Sequence, residues 1–99
     1  MRIRTVREGV GVVVKVLMAH PMDTGRAKDA DGSTIPAWFI RQVRVWLDEH
    51  LVLDADWGPA VSRNPFLQFE LPLAASGAQL RVCWRDNHGE EREDVVVLA

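Results

Sequence analysis

Ninety-nine residues, 47% of them hydrophobic and 26% charged, suffice for one core and not for two, so residues 1–99 read as a single domain. The net charge is −2, with acidic and basic residues interspersed. That leaves no Lys/Arg-rich face for a nucleic-acid partner, and no apolar run approaches the ~20 residues of a membrane span. A single cysteine, Cys83, excludes an internal disulfide and a cysteine-based zinc cluster.

The first residues, "MRIRTVREGVG", carry charge but neither the apolar stretch nor the small-residue cleavage site of a secretory signal. Taken alone they point to the cytoplasm, or to export bound to a partner. In "GVVVKVLMAH" the residues Val12, Val14, Val16 and Met18 share one parity and Lys15 takes the other, the mark of a half-buried strand. "LMAHPMDTG" follows. If the chain stayed extended, Met18, His20 and Met22 would point one way and offer two thioethers and an imidazole to copper(I). The plainer reading ends a core strand at Met18 and folds His20 into a loop, with Pro21 forcing the corner. "DADG" resembles a fragment of a calcium loop without its closing glutamate, and reads as a turn.

"RQVRVWLDEHLVLDADWG" alternates again, predicting Val43, Val45, Leu47, Leu51, Leu53, Ala55 and Trp57 inward. A helix through Phe39, Val43, Trp46 and His50 competes, but the β-branched residues and the Arg-Val-Arg-Val alternation favour strand. Trp46 falls on the polar parity, so either a partner covers it or it stacks with Arg44. "NPFLQFEL" places Leu67, Phe69 and Leu71 inward, and "AQLRVCWRD" does so for Leu80, Val82 and Trp84. Cys83 then faces outward between Arg81 and Arg85, whose charges would lower its pKa; the plainer and favoured reading is a small residue on an outer sheet face that a partner covers. "EREDVVVLA" closes as a strand. Breakers at "EGVG", "DADGSTIP", "WGPAVSRNP", "AASG" and "DNHGE" separate about seven strands. The expected fold is all-β, an immunoglobulin-like antiparallel β-sandwich.

In such a sandwich alternate connections share an end. The long segment from His20 to Ala37, the segment from Gly58 to Asn64 and the turn at Asn87–Gly89 therefore converge. His20, Met22, Asn64, Asn87 and His88 are the candidate residues of this working end, and Trp46 is the candidate partner contact on a sheet face. No nucleophile–base pair, paired carboxylates or phosphate loop points to an enzyme. Cys83 and His88 have a spacing tolerable for type-1 copper, yet no methionine follows Met22 to complete that set. A copper-binding module using Met18, His20 and Met22, and a free-standing adhesion-like domain, are the alternatives from other classes.

Four segments, "KVLMAHPMDTG", "KDADGSTIPAWFI", "WGPAVSRNPFLQFEL" and "VCWRDNHGE", resemble the SoxZ family in consistent order from roughly Val14 to the C-terminus. SoxZ is the smaller subunit of the SoxYZ sulfur-carrier complex of thiosulfate oxidation. The resemblance implies a non-catalytic chain without cofactor that pairs with a SoxY-like subunit. That subunit's glycine-flanked arm cysteine carries the sulfur intermediates, and other thiosulfate-oxidising enzymes visit the complex transiently. It also implies a periplasmic location, reached by co-export with a signal-bearing partner. The ending "EDVVVLA" is not such an arm. Typical members carry a polar residue such as Thr where Cys83 stands, so this cysteine is a departure from the family.

Overall fold

The computed structural model describes residues 1–99 as seven strands: β1 (Arg2–Glu8), β2 (Gly11–Leu17), β3 (Ile40–Leu47), β4 (His50–Asp56), β5 (Phe66–Leu71), β6 (Gln79–Asp86) and β7 (Glu91–Val97). All pairings are antiparallel, and the strands form two sheets, ordered β1-β2-β5 and β4-β3-β6-β7. The chain changes sheet after β2, after β4 and after β5, as an immunoglobulin-like sandwich requires. No helix forms, so none is long and apolar enough to cross a membrane.

Alternation decides what lies between the sheets. Val12, Val14 and Val16 of β2 face Val43 and Val45 of β3 and Leu80, Val82 and Trp84 of β6, and all are buried. Each such side chain stabilises the fold by about 1.5–3 kcal/mol relative to exposure. Met18, Met22 and Ile40 close the core at one end, and Leu71, Ala74, Ala78 and Leu98 close it at the other.

Two turns at that second end are tight for different reasons. Gly9, at φ 63, opens the β1–β2 hairpin. The β3–β4 hairpin turns on Asp48 and Glu49, at φ 46 and 70, with no glycine. It is held by the Gln79 amide, which donates to Asp48 Oδ1 at 2.9 Å, and by the Asp48 amide, which donates to the Gln79 carbonyl at 2.9 Å.

The outward parities form rungs across each sheet. On the four-stranded sheet they read Asp56–Gln42–Arg85–Glu91, then Asp54–Arg44–Cys83–Glu93, then Leu51–Trp46–Arg81–Val95. The last rung corrects the sequence expectation for Leu51. Strict alternation places it inward, but a bulge at Val45/Trp46 leaves Val52 as an extra residue between Leu53, paired with Val45, and Leu51, paired with Trp46. Leu51 is therefore 51% exposed beside Trp46, while Leu53 and Ala55 keep the inward parity.

Candidate functional site

The connections formed by residues 18–39, 57–65 and 87–90 meet at one end of the sandwich, as the strand order demands. Their meeting point is a residue that the sequence reading passed over. The inward parity of Leu80, Val82 and Trp84 continues to Asp86, whose side chain is buried at the last step of β6. Each carboxylate oxygen there receives two donors. Oδ2 accepts from His20 Nε2–H at 3.1 Å and from Trp38 Nε1–H at 2.8 Å. Oδ1 accepts from the amides of His88 and Glu90, both at 2.9 Å.

His20 is oriented from its other side. Pro21 turns the chain, Met22 takes a left-handed φ of 50, and the Met22 amide donates to His20 Nδ1 at 3.1 Å. Because Nδ1 accepts, the ring proton sits on Nε2, aimed at Asp86. Trp38 and Trp84 each approach the imidazole edge-on, with ring centroids 5.3 Å away.

The two predicted asparagines stitch the loops. Asn64 Oδ1 accepts from the His20 amide at 3.1 Å, and the Asn64 amide donates to the His20 carbonyl at 2.9 Å. Asn87 Oδ1 accepts from the Phe39 amide at 2.9 Å, and Asn87 Nδ2 donates to the Ala37 carbonyl at 2.8 Å. Beyond its backbone amide, His88 keeps its side chain outside this network, stacked on the Trp38 indole at 5.1 Å with planes 4° apart. The structure thus brings His20, Met22, Asn64, Asn87 and His88 to one end. His20 and Met22 build it from within, both being buried, whereas Asn64 and His88 are exposed on it. Asp86 and Trp38 are the members that the sequence reading missed. Parity alone could have found Asp86; no sequence signal singles out Trp38.

These contacts argue against copper. Both ring nitrogens of His20 are engaged, Met22 Sδ accepts from the Ile40 amide at 3.3 Å, and Met18 is a core residue. The Cys83–His88 pair is not assembled either, since Cys83 lies on the outer sheet face and His88 on Trp38. "DADG" is the expected turn. Asp29 Oδ1 accepts from the amides of Asp31 and Ser33, both at 3.0 Å.

Burial alone would push the Asp86 carboxyl up. The hydrogen bonds from Trp38 and His20, joined by the amides of Glu90 and His88, outweigh it and hold the pKa below its ordinary 3.8. The unfolded chain therefore takes up this proton first on acidification. Asp86 contributes its full stabilisation above about pH 5, and loses it as the pH falls through 3.8 and below. Urea unfolding between pH 7 and 3 should show a fall in stability at the acid end that is shallower in Asp86→Asn. Equal slopes in the two proteins would contradict this assignment.

On the outer face of the four-stranded sheet two expectations change. Trp46 stacks under Arg81, not Arg44, with the guanidinium carbon 4.1 Å from the ring centroid. The Cys83 thiol is raised rather than lowered. Burial dominates, and Glu91 and Glu93 add to it against Arg81 and Arg85. Those same carboxylates pair with the two arginines, Glu93 with Arg81 at 3.6 Å and Glu91 with Arg85 at 2.6 Å, and so blunt their effect on the thiol. The family model for sulphur oxidation protein SoxZ matches residues 1–97, essentially the whole chain. No curated protein matches the chain.

Proposed function

Because the chain belongs to the SoxZ family and so has a role in sulfur oxidation, we propose that it is the non-catalytic subunit of a two-chain sulfur carrier. Its partner is a SoxY-like subunit whose glycine-flanked arm cysteine bears the intermediates of thiosulfate oxidation. The pair works in the periplasm, reached by co-export with a signal-bearing partner, and other thiosulfate-oxidising enzymes engage it in turn.

Cys83 carries this reading. A carrier sulfur must be a nucleophilic thiolate on a segment that can enter other active sites, which calls for small, flexible neighbours. Cys83 is the chain's one thiol, and it is half-buried in a hollow of about 150 Å³ lined by Gln42, Arg44, Trp46, Arg85 and Glu91. Its backbone is paired to β3 on one side and β7 on the other, and its pKa is raised. A thiol so held stays protonated at neutral pH and cannot travel. The travelling sulfur therefore belongs to another chain.

Trp46 supplies the support for that other chain. It shares a rung with Leu51 and Val95, each about half exposed, and the Arg81 guanidinium lies over its ring. Tryptophan and arginine surrounded by aliphatic groups are the usual anchors of a protein interface. Trp46→Ala is expected to weaken partner binding by about 30-fold or more, as loss of such an anchor does, while leaving the fold intact. Titration calorimetry with the SoxY-like subunit measures the first and urea unfolding the second. Undiminished affinity would remove this face from the interface.

A further inference from the structure

The opposite face of the sandwich carries a different kind of surface. On the three-stranded sheet the outward rungs nearest the working end are Arg2–Leu17–Phe66 and Arg4–Lys15–Gln68. Arg4 and Lys15 are directly opposed across β1 and β2, and Arg2 lies two residues along from Arg4 on the same side. Like charges in direct register destabilise a strand pair. No carboxylate relieves them. The ion pairs of the arginines on strands β3, β6 and β7 all lie on the other sheet, and none involves Arg2, Arg4 or Lys15. In a chain of net charge −2, three unpaired cations thus stand together around a shallow groove of about 350 Å³. Phe66, 59% exposed, and Leu17, 43% exposed, complete its lining.

We propose that this groove is a docking site for an acidic protein segment that carries an apolar side chain among its carboxylates. Opposed like charges become favourable when carboxylates from outside lie between them, and Phe66 and Leu17 give such a segment an apolar seat. A membrane surface fits less well. Binding to anionic lipid by charge takes a cluster of about 4–8 basic residues, and three are present. The site lies on the sheet opposite Trp46, so an acidic protein could engage it while a partner covers the Trp46 face.

The test uses the full-length, isotope-labelled chain and a synthetic peptide of glutamates flanking a phenylalanine and a leucine, followed by amide chemical shifts. The peptide should shift residues of β1, β2 and the start of β5, and its affinity should fall about tenfold when added salt shortens the screening length. Lys15→Glu should weaken binding about tenfold or more. Lys15→Gln should weaken it while raising the urea midpoint, because it removes the opposed charge. Phe66→Ala should lose affinity yet keep the salt dependence. Equal binding of a glutamine-for-glutamate peptide would overturn the proposal. So would shifts confined to other faces, or binding to phosphatidylglycerol vesicles with none to the peptide. None of these outcomes depends on the SoxY-like subunit, so failure here leaves the Trp46 interface untouched.

Discussion

Asp86→Asn should lower the free energy of unfolding by about 2–5 kcal/mol, because two donors lose their acceptor at about 1–3 kcal/mol each. The substitution preserves shape, so volume is not the cause. Each carboxylate oxygen accepts two hydrogen bonds, from His20 and Trp38 on one side and from the amides of His88 and Glu90 on the other. An asparagine amide must turn its own NH2 toward one of these pairs. Whichever way it turns, two donors at this largely enclosed site face a third donor and lose their acceptor. Urea unfolding gives the number, and near-ultraviolet circular dichroism reports the Trp38 and Trp84 environment. A loss below about 1 kcal/mol would mean that the loops hold one another without the carboxylate. Cys83→Ser, on a half-exposed face, serves as the control and should stay within about 0.5 kcal/mol of the native chain.

Changing the partner's arm cysteine to serine should abolish thiosulfate-dependent turnover of the reconstituted system, whereas Cys83→Ser should leave it essentially intact. The contrast rests on mobility and ionisation together. Glycine-flanked chain samples many orientations, while a β6 residue paired on both sides samples one. The raised pKa of Cys83 further reduces its thiolate at neutral pH. Intact-mass measurement after turnover should find sulfur adducts on the partner chain only. Stoichiometric adducts on Cys83, with turnover lost in its serine variant, would make this chain the carrier and reverse the division of labour.

Where one physical rule acts alone, the sequence is a reliable guide. Val12, Val14, Val16 and Met18 alternate without interruption, and all four are buried. The same rule puts the connections after Met18, Asp56 and Asp86 at one end. It misplaces Leu51 because a bulge adds one residue, and nothing local in "VWLDEHLVL" marks where that addition falls. Asp86 was legible in principle, since it continues the parity of Trp84, but a carboxylate resists assignment to a core until its donors are known. Those donors come from two other loops and from backbone amides, which no spacing rule connects. For Cys83 the flanking arginines were visible and their partners were not. Glu91 and Glu93 reach them only through the register of β7 on β6. The identity of the cation over Trp46 was hidden in the same way, because Arg44 and Arg81 are equally plausible until β3 and β6 are aligned.

The Asp86 network also carries a time order. Its two amide donors lie 2 and 4 residues along the chain, within reach as soon as the β6–β7 hairpin forms. Trp38, 48 residues away, comes within reach when β3 pairs with β6, whereas His20, 66 residues away beside β2, waits until the two sheets have docked. One carboxylate therefore serves first as the clasp of a hairpin and afterwards as the seal between loops.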